Sequence, residues 1–183
     1  MQNQHNFLEQ VTQVVGEKHV LINDEARQRY EEDATLLYHG KSLAVVRPAS
    51  TDEVAEVVKL AHAAQIPVVP VGGNTGLLSL ERMNQIREIK TDSRLVVAEA
   101  GVVLDSLHQA ADEHDLIFPL IFGARGSCML GGNLSTNAGG SNVVRYGNTR
   151  ELCLGLEVVL PDGQIMNLMS ELRKDNTGYD LKD

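Results

Sequence analysis

The sequence predicts an α+β protein, and three observations predict it. A β-branched run, an amphipathic stretch and a second apolar run follow one another within residues 43–71. A further strand-then-helix pair occupies residues 95–114, and apolar runs on either side of Pro161-Asp162-Gly163 read as a hairpin closed by a turn tripeptide.

Taken in order, Leu8, Val11, Val14 and Val15 form a helical stripe within residues 7–15, so the chain opens on a helix. Residues 24–41 are charged and without strong period, which leaves a loop or a short helix. LAVVRP (residues 43–48) is a strand stopped by Pro48. Ser50 and Glu53 then make a capping box for a helix that carries Val54, Val57, Val58 and Ala61 on one face and ends near Gln65. A second strand follows at residues 67–71. Strand, helix and strand in about 30 residues make a βαβ unit with parallel strands and a right-handed crossover. Residues 95–101 are another strand, and Leu104, Leu107, Ala110 and Ala111 mark a helix over residues 104–114. Residues 118–146 lose all periodicity, and residues 172–183 are polar.

The 183 residues hold 16 Lys+Arg against 25 Asp+Glu, a formal net charge of −9, with 43% hydrophobic and 22% charged residues. That balance supports a folded core and excludes a disordered chain. An acidic chain with no Lys/Arg run is unsuited to nucleic acid, and 4% aromatics without Trp argue against base-stacking platforms. Cys128 and Cys153 lack metal-site or disulfide-framework spacing and read as two buried thiols in a reducing compartment. The N-terminus has no basic stretch followed by an apolar one, and no window approaches about 20 apolar residues. The expectation is a cytoplasmic protein with no transmembrane segment.

Two glycine-rich segments carry the chemistry. VPVGGNTGLLSL (residues 69–80) places Gly72, Gly73 and Gly76 directly after a strand, where consecutive N–H groups can converge on an anion. The GGxxG spacing is neither GxGxxG nor GxxxxGK[ST], so a phosphate-binding loop and a tight turn both stay open. GARGSCMLGGNLSTNAGGSNVVRYGN (residues 123–148) interleaves seven glycines with Ser127, Asn133, Ser135, Thr136 and Asn137. It can bury little apolar surface, so order there points to a large polar ligand that satisfies its N–H donors, the alternative being a flexible loop. Two such walls suit a dinucleotide pyrophosphate.

With these segments in view, the chain resembles the FAD-binding domain of the vanillyl-alcohol-oxidase-type flavoproteins, in the branch of FAD-linked 2-hydroxyacid dehydrogenases acting on D-2-hydroxyglutarate, D-lactate or glycolate. The matching segments are VVRPASTDEV, IPVVPVGGNTGL, LSLERMNQIREI, VAEAGVVL, FPL, GSCMLGGNLSTNAGG, RYGNTRELCLGLEVVLPDG and LRKDNTGYDL, which cover most of residues 43–181 in the family's order. The resemblance implies a two-lobed α+β FAD-binding domain after a helical segment at residues 1–42. A small parallel lobe would span about residues 43–100, and a larger lobe with an antiparallel sheet and helices about residues 101–183, with a substrate-binding cap domain beyond. Pro70, Gly72, Gly73, Asn74, Thr75, Gly76 and Leu77 would wrap the FAD pyrophosphate. Gly126, Ser127, Gly131, Gly132, Asn133, Thr136, Asn137, Ala138 and Gly139 would hold pyrophosphate and ribityl chain from the other side. Pro119 and Leu120 would line the flavin, Tyr146 and Gly147 would close the site, and the strand around Glu157 and Val159 would meet the adenine through its backbone. Arg173, Lys174, Asn176, Thr177 and Tyr179 would be flavin-side or structural.

Some relatives attach FAD through a histidine where this chain has Asn74, so the resemblance implies noncovalent FAD, with His39, His62, His108 and His114 as surface histidines. It also implies oxidation of a small D-2-hydroxy acid to the 2-oxo acid by hydride transfer to flavin N5. The base and any divalent metal would lie in the cap, and electrons would pass to a partner; a homodimer also fits. A noncatalytic nucleotide- or phosphate-binding module, or a partner-dependent subunit, is the alternative. In the family a further stretch separates GGNTGL from LSLERMN, whereas here Leu77-Leu78 runs straight into Ser79.

Overall fold

Apolar residues one helical turn apart organise the first unit of the chain. In α1 (Gln2–Val15), Phe7, Val11 and Val15 share a face, because helical side chains four apart lie one above the other, and all three are buried. They pack with Val54, Val57 and Ala61 of α3 (Thr51–Ala64) in a core that also takes in Val20, Ala44, Val46, Leu78 and Met83. A computed structural model of the chain describes residues 2–31, 37, 40–71 and 78–182. Gly72, Gly73, Asn74, Thr75, Gly76, Leu77 and His39 lie outside the described residues.

α3 begins where the capping box predicts. Ser50 Oγ accepts from the Glu53 N–H at 3.2 Å, and Glu53 Oε2 accepts from the Ala49 N–H at 2.8 Å. It ends at Gln65, whose φ of 55° is left-handed, with the Ile66 N–H returning to the Ala61 carbonyl at 2.9 Å.

The first sheet has the order β1-β2-β4-β3, formed by β1 (Val20–Leu21), β2 (Val45–Val46), β3 (Pro70–Val71) and β4 (Leu78–Ser79). β1 is antiparallel to β2, and β4 is parallel to both β2 and β3. The expected strand–helix–strand unit is therefore present with parallel strands, but its strands are not neighbours. β4, which the sequence reading lacks, lies between them with Leu78 and Ser79 buried.

Residues 24–31 are a helix, α2 (Asp24–Glu31), whose inner face carries Arg27 and Tyr30. Arg27 donates to the Ser42 carbonyl and to Asp24, and Glu31 accepts from Ser42 N at 2.8 Å and Ser42 Oγ at 2.6 Å. A helix held down by hydrogen bonds rather than by an apolar stripe shows no hydrophobic period. Nearby, Glu81 accepts from Tyr30 Oη at 2.9 Å, Arg47 Nη1 at 3.0 Å and Arg29 Nη2 at 3.1 Å. Burial raises its carboxyl, but the hydrogen bonds from Arg47 and Tyr30 and the two guanidinium charges outweigh that and hold it below the ordinary range.

The chain divides into two compact units, Met1–Met83 with Val159–Ile165, and Asn84–Val158 with Met166–Asp183. The division falls between Met83 and Asn84 rather than near residue 100, and α1 shares a core with the first unit instead of standing as a separate segment.

In the second unit, β5 (Ile86–Lys90) pairs antiparallel with β6 (Leu95–Ala98). α4 (Leu104–Asp112) buries Leu104, Leu107 and Ala111. Two short helices follow, α5 (Leu130–Ser135) and α6 (Val143–Tyr146), inside the segment expected to lack regular structure. β7 (Glu157–Val159) and β8 (Ile165–Asn167) form the expected hairpin, whose turn, with Gly163 at φ 82°, is counted with the first unit. Among the described residues no helix is long and apolar enough to cross a membrane.

Candidate functional site

The second glycine-rich segment is a folded part of the second unit. Its entry is fixed by the Leu130 N–H to the Val102 carbonyl at 2.9 Å and the Gly131 N–H to the Ala100 carbonyl at 2.8 Å. Asn133 is buried, donates its amide to Cys128 Sγ at 3.5 Å, and accepts at its carbonyl from the Ala138 N–H at 2.8 Å. Thr136 Oγ1 donates to the Gly132 carbonyl at 2.9 Å. Asn137 adopts a left-handed φ of 49°, which asparagine tolerates better than most residues.

These bonds correct one expectation. The backbone N–H groups of Ser127, Gly131, Asn133, Thr136, Asn137, Ala138 and Gly147 all donate to carbonyls of the chain itself. The segment is ordered by its own hydrogen bonds, so order alone does not require a ligand at these donors.

Packing accounts for some glycines and not others. A Cβ on Gly140 would run into the Ile121 carbonyl group, and Gly147 combines a φ of 77° with the Glu151 carboxylate where its Cβ would point. At Gly123 and Gly126 a Cβ would meet nothing within 4 Å. Residues 123–127 are all exposed, as are Ser135, Thr136 and Gly139, so apart from Arg125 this part of the surface is peptide and small side chains. Such a surface fits a ligand that lies flat against the backbone. Residues 123–151 also carry Arg125, Arg145 and Arg150 against Glu151 alone, a local positive excess in an acidic chain. Arg125 pairs with Asp105 at 3.3 Å, and the Arg145 guanidinium stands 5.2 Å from the Tyr146 ring centroid.

The other expected site residues differ in burial. Leu120 is a core side chain at 2% exposure, while Pro119 is half-buried and its carbonyl accepts from Asn142 Nδ2 at 3.2 Å. Tyr146 is exposed and Glu157 lies exposed on β7. Pro70 is exposed on β3, and Val159 packs on the core of the first unit. Arg173, Lys174, Asn176, Thr177 and Tyr179 are all exposed. His62 and His114 are exposed as expected, but His108 is half-buried, with Nε2 3.0 Å from the Leu120 carbonyl and its ring tilted against Phe118. The two cysteines are half-buried rather than buried. No group of three or more His, Cys, Asp or Glu side chains gathers as a metal site among the described residues.

Sequence reasoning missed the residues that hold this segment together. Thr149, at 2% exposure, donates both its N–H (3.1 Å) and its Oγ1 (2.6 Å) to the Ala138 carbonyl. Arg150 donates from Nε to the Leu134 carbonyl at 3.2 Å and from Nη2 to the Ser135 carbonyl at 3.0 Å, and its backbone N–H donates to Asn137 Oδ1 at 3.1 Å. Glu151 Oε2 accepts from the Asn148 N–H at 2.6 Å. Their adjacency to Gly147 in sequence is the one available signal, and the partners lie too far back along the chain for spacing to reveal them.

Residues 42–169 match the family of FAD binding domains, so the chain belongs to that family. Within it, the chain is 46% identical over 155 residues to the mitochondrial D-2-hydroxyglutarate dehydrogenase of Bos taurus, a match covering 78% of this chain and 28% of the relative. It is 42% identical over 177 residues to the D-2-hydroxyglutarate–pyruvate transhydrogenase of Saccharomyces cerevisiae, covering 88% of this chain and 36% of that one. The chain thus spans about a third of the length of the curated relatives it matches. Among solved structures, an alkyldihydroxyacetonephosphate synthase superposes with a TM-score of 0.82 at 18% identity, over 97% of this chain and 39% of that chain. A 4-ethylphenol oxidase from Gulosibacter chungangensis gives 0.67 at 22%, over 90% and 34%. At these identities the likeness is one of fold, and the fold is the two-part α+β architecture expected from the sequence.

Proposed function

We propose that this chain is the FAD-holding part of an oxidoreductase that converts a D-2-hydroxy acid, D-2-hydroxyglutarate first among them, to the 2-oxo acid. The observation that carries the reading is the continuous match of residues 42–169 to FAD binding domains, together with 46% identity to a D-2-hydroxyglutarate dehydrogenase. Bound FAD supplies a two-electron acceptor for the hydride on the carbinol carbon.

The chain's part is to bind and orient. Gly126, Ser127, Gly131, Gly132, Asn133, Thr136, Asn137, Ala138 and Gly139 present a surface without bulky side chains to the pyrophosphate and ribityl groups. Pro70, Gly72, Gly73, Asn74, Thr75, Gly76 and Leu77 serve the pyrophosphate as well. The exposed Ser135, Thr136 and Gly139 support that assignment, as does Gly126, where a Cβ would meet nothing and no packing inside the protein needs the space. Arg125 and Arg145 lower the cost of bringing a pyrophosphate to a chain of net charge −9. Pro119, Leu120, Tyr146 and Gly147 shape the flavin end, and the backbone of Glu157 and Val159 meets the adenine.

Binding is noncovalent, since the amide of Asn74 is no nucleophile toward the flavin. A cytoplasmic location goes with this reading. The test is the visible spectrum of the purified chain after incubation with FAD and desalting. Flavin bands that stay with the protein and pass into the supernatant on acid precipitation are the expected result. Flavin that remains in the precipitate contradicts the noncovalent mode, and a folded chain without flavin contradicts the function.

A further inference from the structure

α5 ends at Ser135, and the last carbonyls of a helix have no partners within it. Here two of them, those of Leu134 and Ser135, are taken by one guanidinium, through Arg150 Nε at 3.2 Å and Nη2 at 3.0 Å. A cation at a helix C-terminus is also where the local dipole favours it. The same residue's backbone N–H holds the Asn137 carboxamide at 3.1 Å, which braces the left-handed turn at Asn137. One residue earlier, buried Thr149 closes the next peptide with two bonds to the Ala138 carbonyl. Thr149 and Arg150 together therefore tie residues 134, 135, 137 and 138, the stretch that carries the exposed Ser135 and Thr136 and leads into Gly139.

We infer that Arg150 is a positioning residue for the flavin nucleotide. It fixes the orientation of the peptides from Ser135 to Gly139 and does not itself hold the cofactor. This rests on the FAD reading above. The physical reason for arginine is its planar fork, which reaches two carbonyls at once in a fixed geometry, whereas lysine offers one point charge on a flexible stem. A charge that merely draws in the pyrophosphate makes the opposite demand, because lysine supplies that equally well.

The experiment titrates FAD into the wild-type chain, Arg150→Lys, Arg150→Ala and the control Leu107→Val, following quenching of flavin fluorescence at a temperature where circular dichroism shows every variant folded. Leu107 is buried in α4 at 2% exposure and is not among the residues that Thr149 and Arg150 tie, so its variant lowers Tm while leaving those ties in place. Both Arg150 variants are expected to raise the FAD Kd by about tenfold or more, with the control within about twofold of wild type. Hydrogen exchange in the FAD-free protein is expected to accelerate at the Thr136, Asn137 and Ala138 amides of both Arg150 variants. If Arg150→Ala does not fold, Arg150→Gln takes its place.

Wild-type affinity in Arg150→Lys overturns the inference in favour of a charge role. Affinities that follow Tm in the same way as the control, or unchanged exchange at the three amides, overturn it in favour of a purely structural one. Wild-type protein that takes up no FAD sinks the function and the inference together. Wild-type binding with unaffected variants sinks the inference alone.

Discussion

His19 is held neutral in the first unit: burial comes first, and the charges of Arg82, Arg47 and Lys18 add to it, lowering its pKa below the ordinary 6.5. The unfolded chain therefore takes up this proton at a higher pH than the folded one, and stability falls as pH drops below 6.5. Glu81 and Glu31 act at lower pH. In both, burial works against ionisation, but hydrogen bonds, from Arg47 and Tyr30 in one and from Ser42 in the other, hold the carboxyl below 4.5. Their contribution is complete above that value and is lost as pH falls through the folded pKa. Thermal melts should show Tm level above neutrality, a first decline beginning below 6.5 and a steeper one below 4.5, and His19→Gln should abolish only the first. A His19→Gln profile that matches wild type would remove His19 from this explanation. At Gly147, alanine would need a φ of 77° and would meet the Glu151 carboxylate, so Gly147→Ala should cost about 1–3 kcal/mol in urea unfolding. An unchanged midpoint would show that the turn relaxes freely.

How legible an element was depended on what held it down. α1 and α3 were readable because they bury an apolar face, and α3 also because Ser50 and Glu53 cap it. Ser50→Ala should cost about 1 kcal/mol in chemical denaturation, through the bond that the Glu53 N–H loses. α2 was opaque because its inner face is Arg27 and Tyr30, fixed by hydrogen bonds. β4 contains two residues, too few for any period, and β5 carries a register shift between Ile86 and Glu88 that breaks the alternation a strand would show. α5 hides behind LGGNLS, whose glycines, asparagine and serine all weaken a helical reading. Within the candidate site, the glycines and small polar residues were plain in the sequence. The clamp of Thr149 and Arg150 was not, because it joins residues 11 to 16 positions apart without any repeating pattern.

At the scale of the whole molecule, the expected α+β class is present, and the chain divides into two compact units between Met83 and Asn84, with residues 159–165 counted in the first. The chain belongs to the FAD binding domains, and its positive excess at residues 123–151 stands out against an overall charge of −9. A ligand that binds only the folded state stabilises it by mass action, about 2.7 kcal/mol at a hundred times its Kd. Saturating FAD should accordingly raise Tm in differential scanning fluorimetry, whereas an unchanged Tm would place the cofactor elsewhere. The most direct measurement is a calorimetric titration of FAD into the purified, folded chain, with FMN run in parallel. The account predicts saturable heat at a single site for FAD, with FMN much weaker because it lacks the pyrophosphate and adenosine that residues 126–139 and 157–159 are proposed to meet. No saturable heat with FAD, from a chain whose circular dichroism shows it folded, would contradict the central claim.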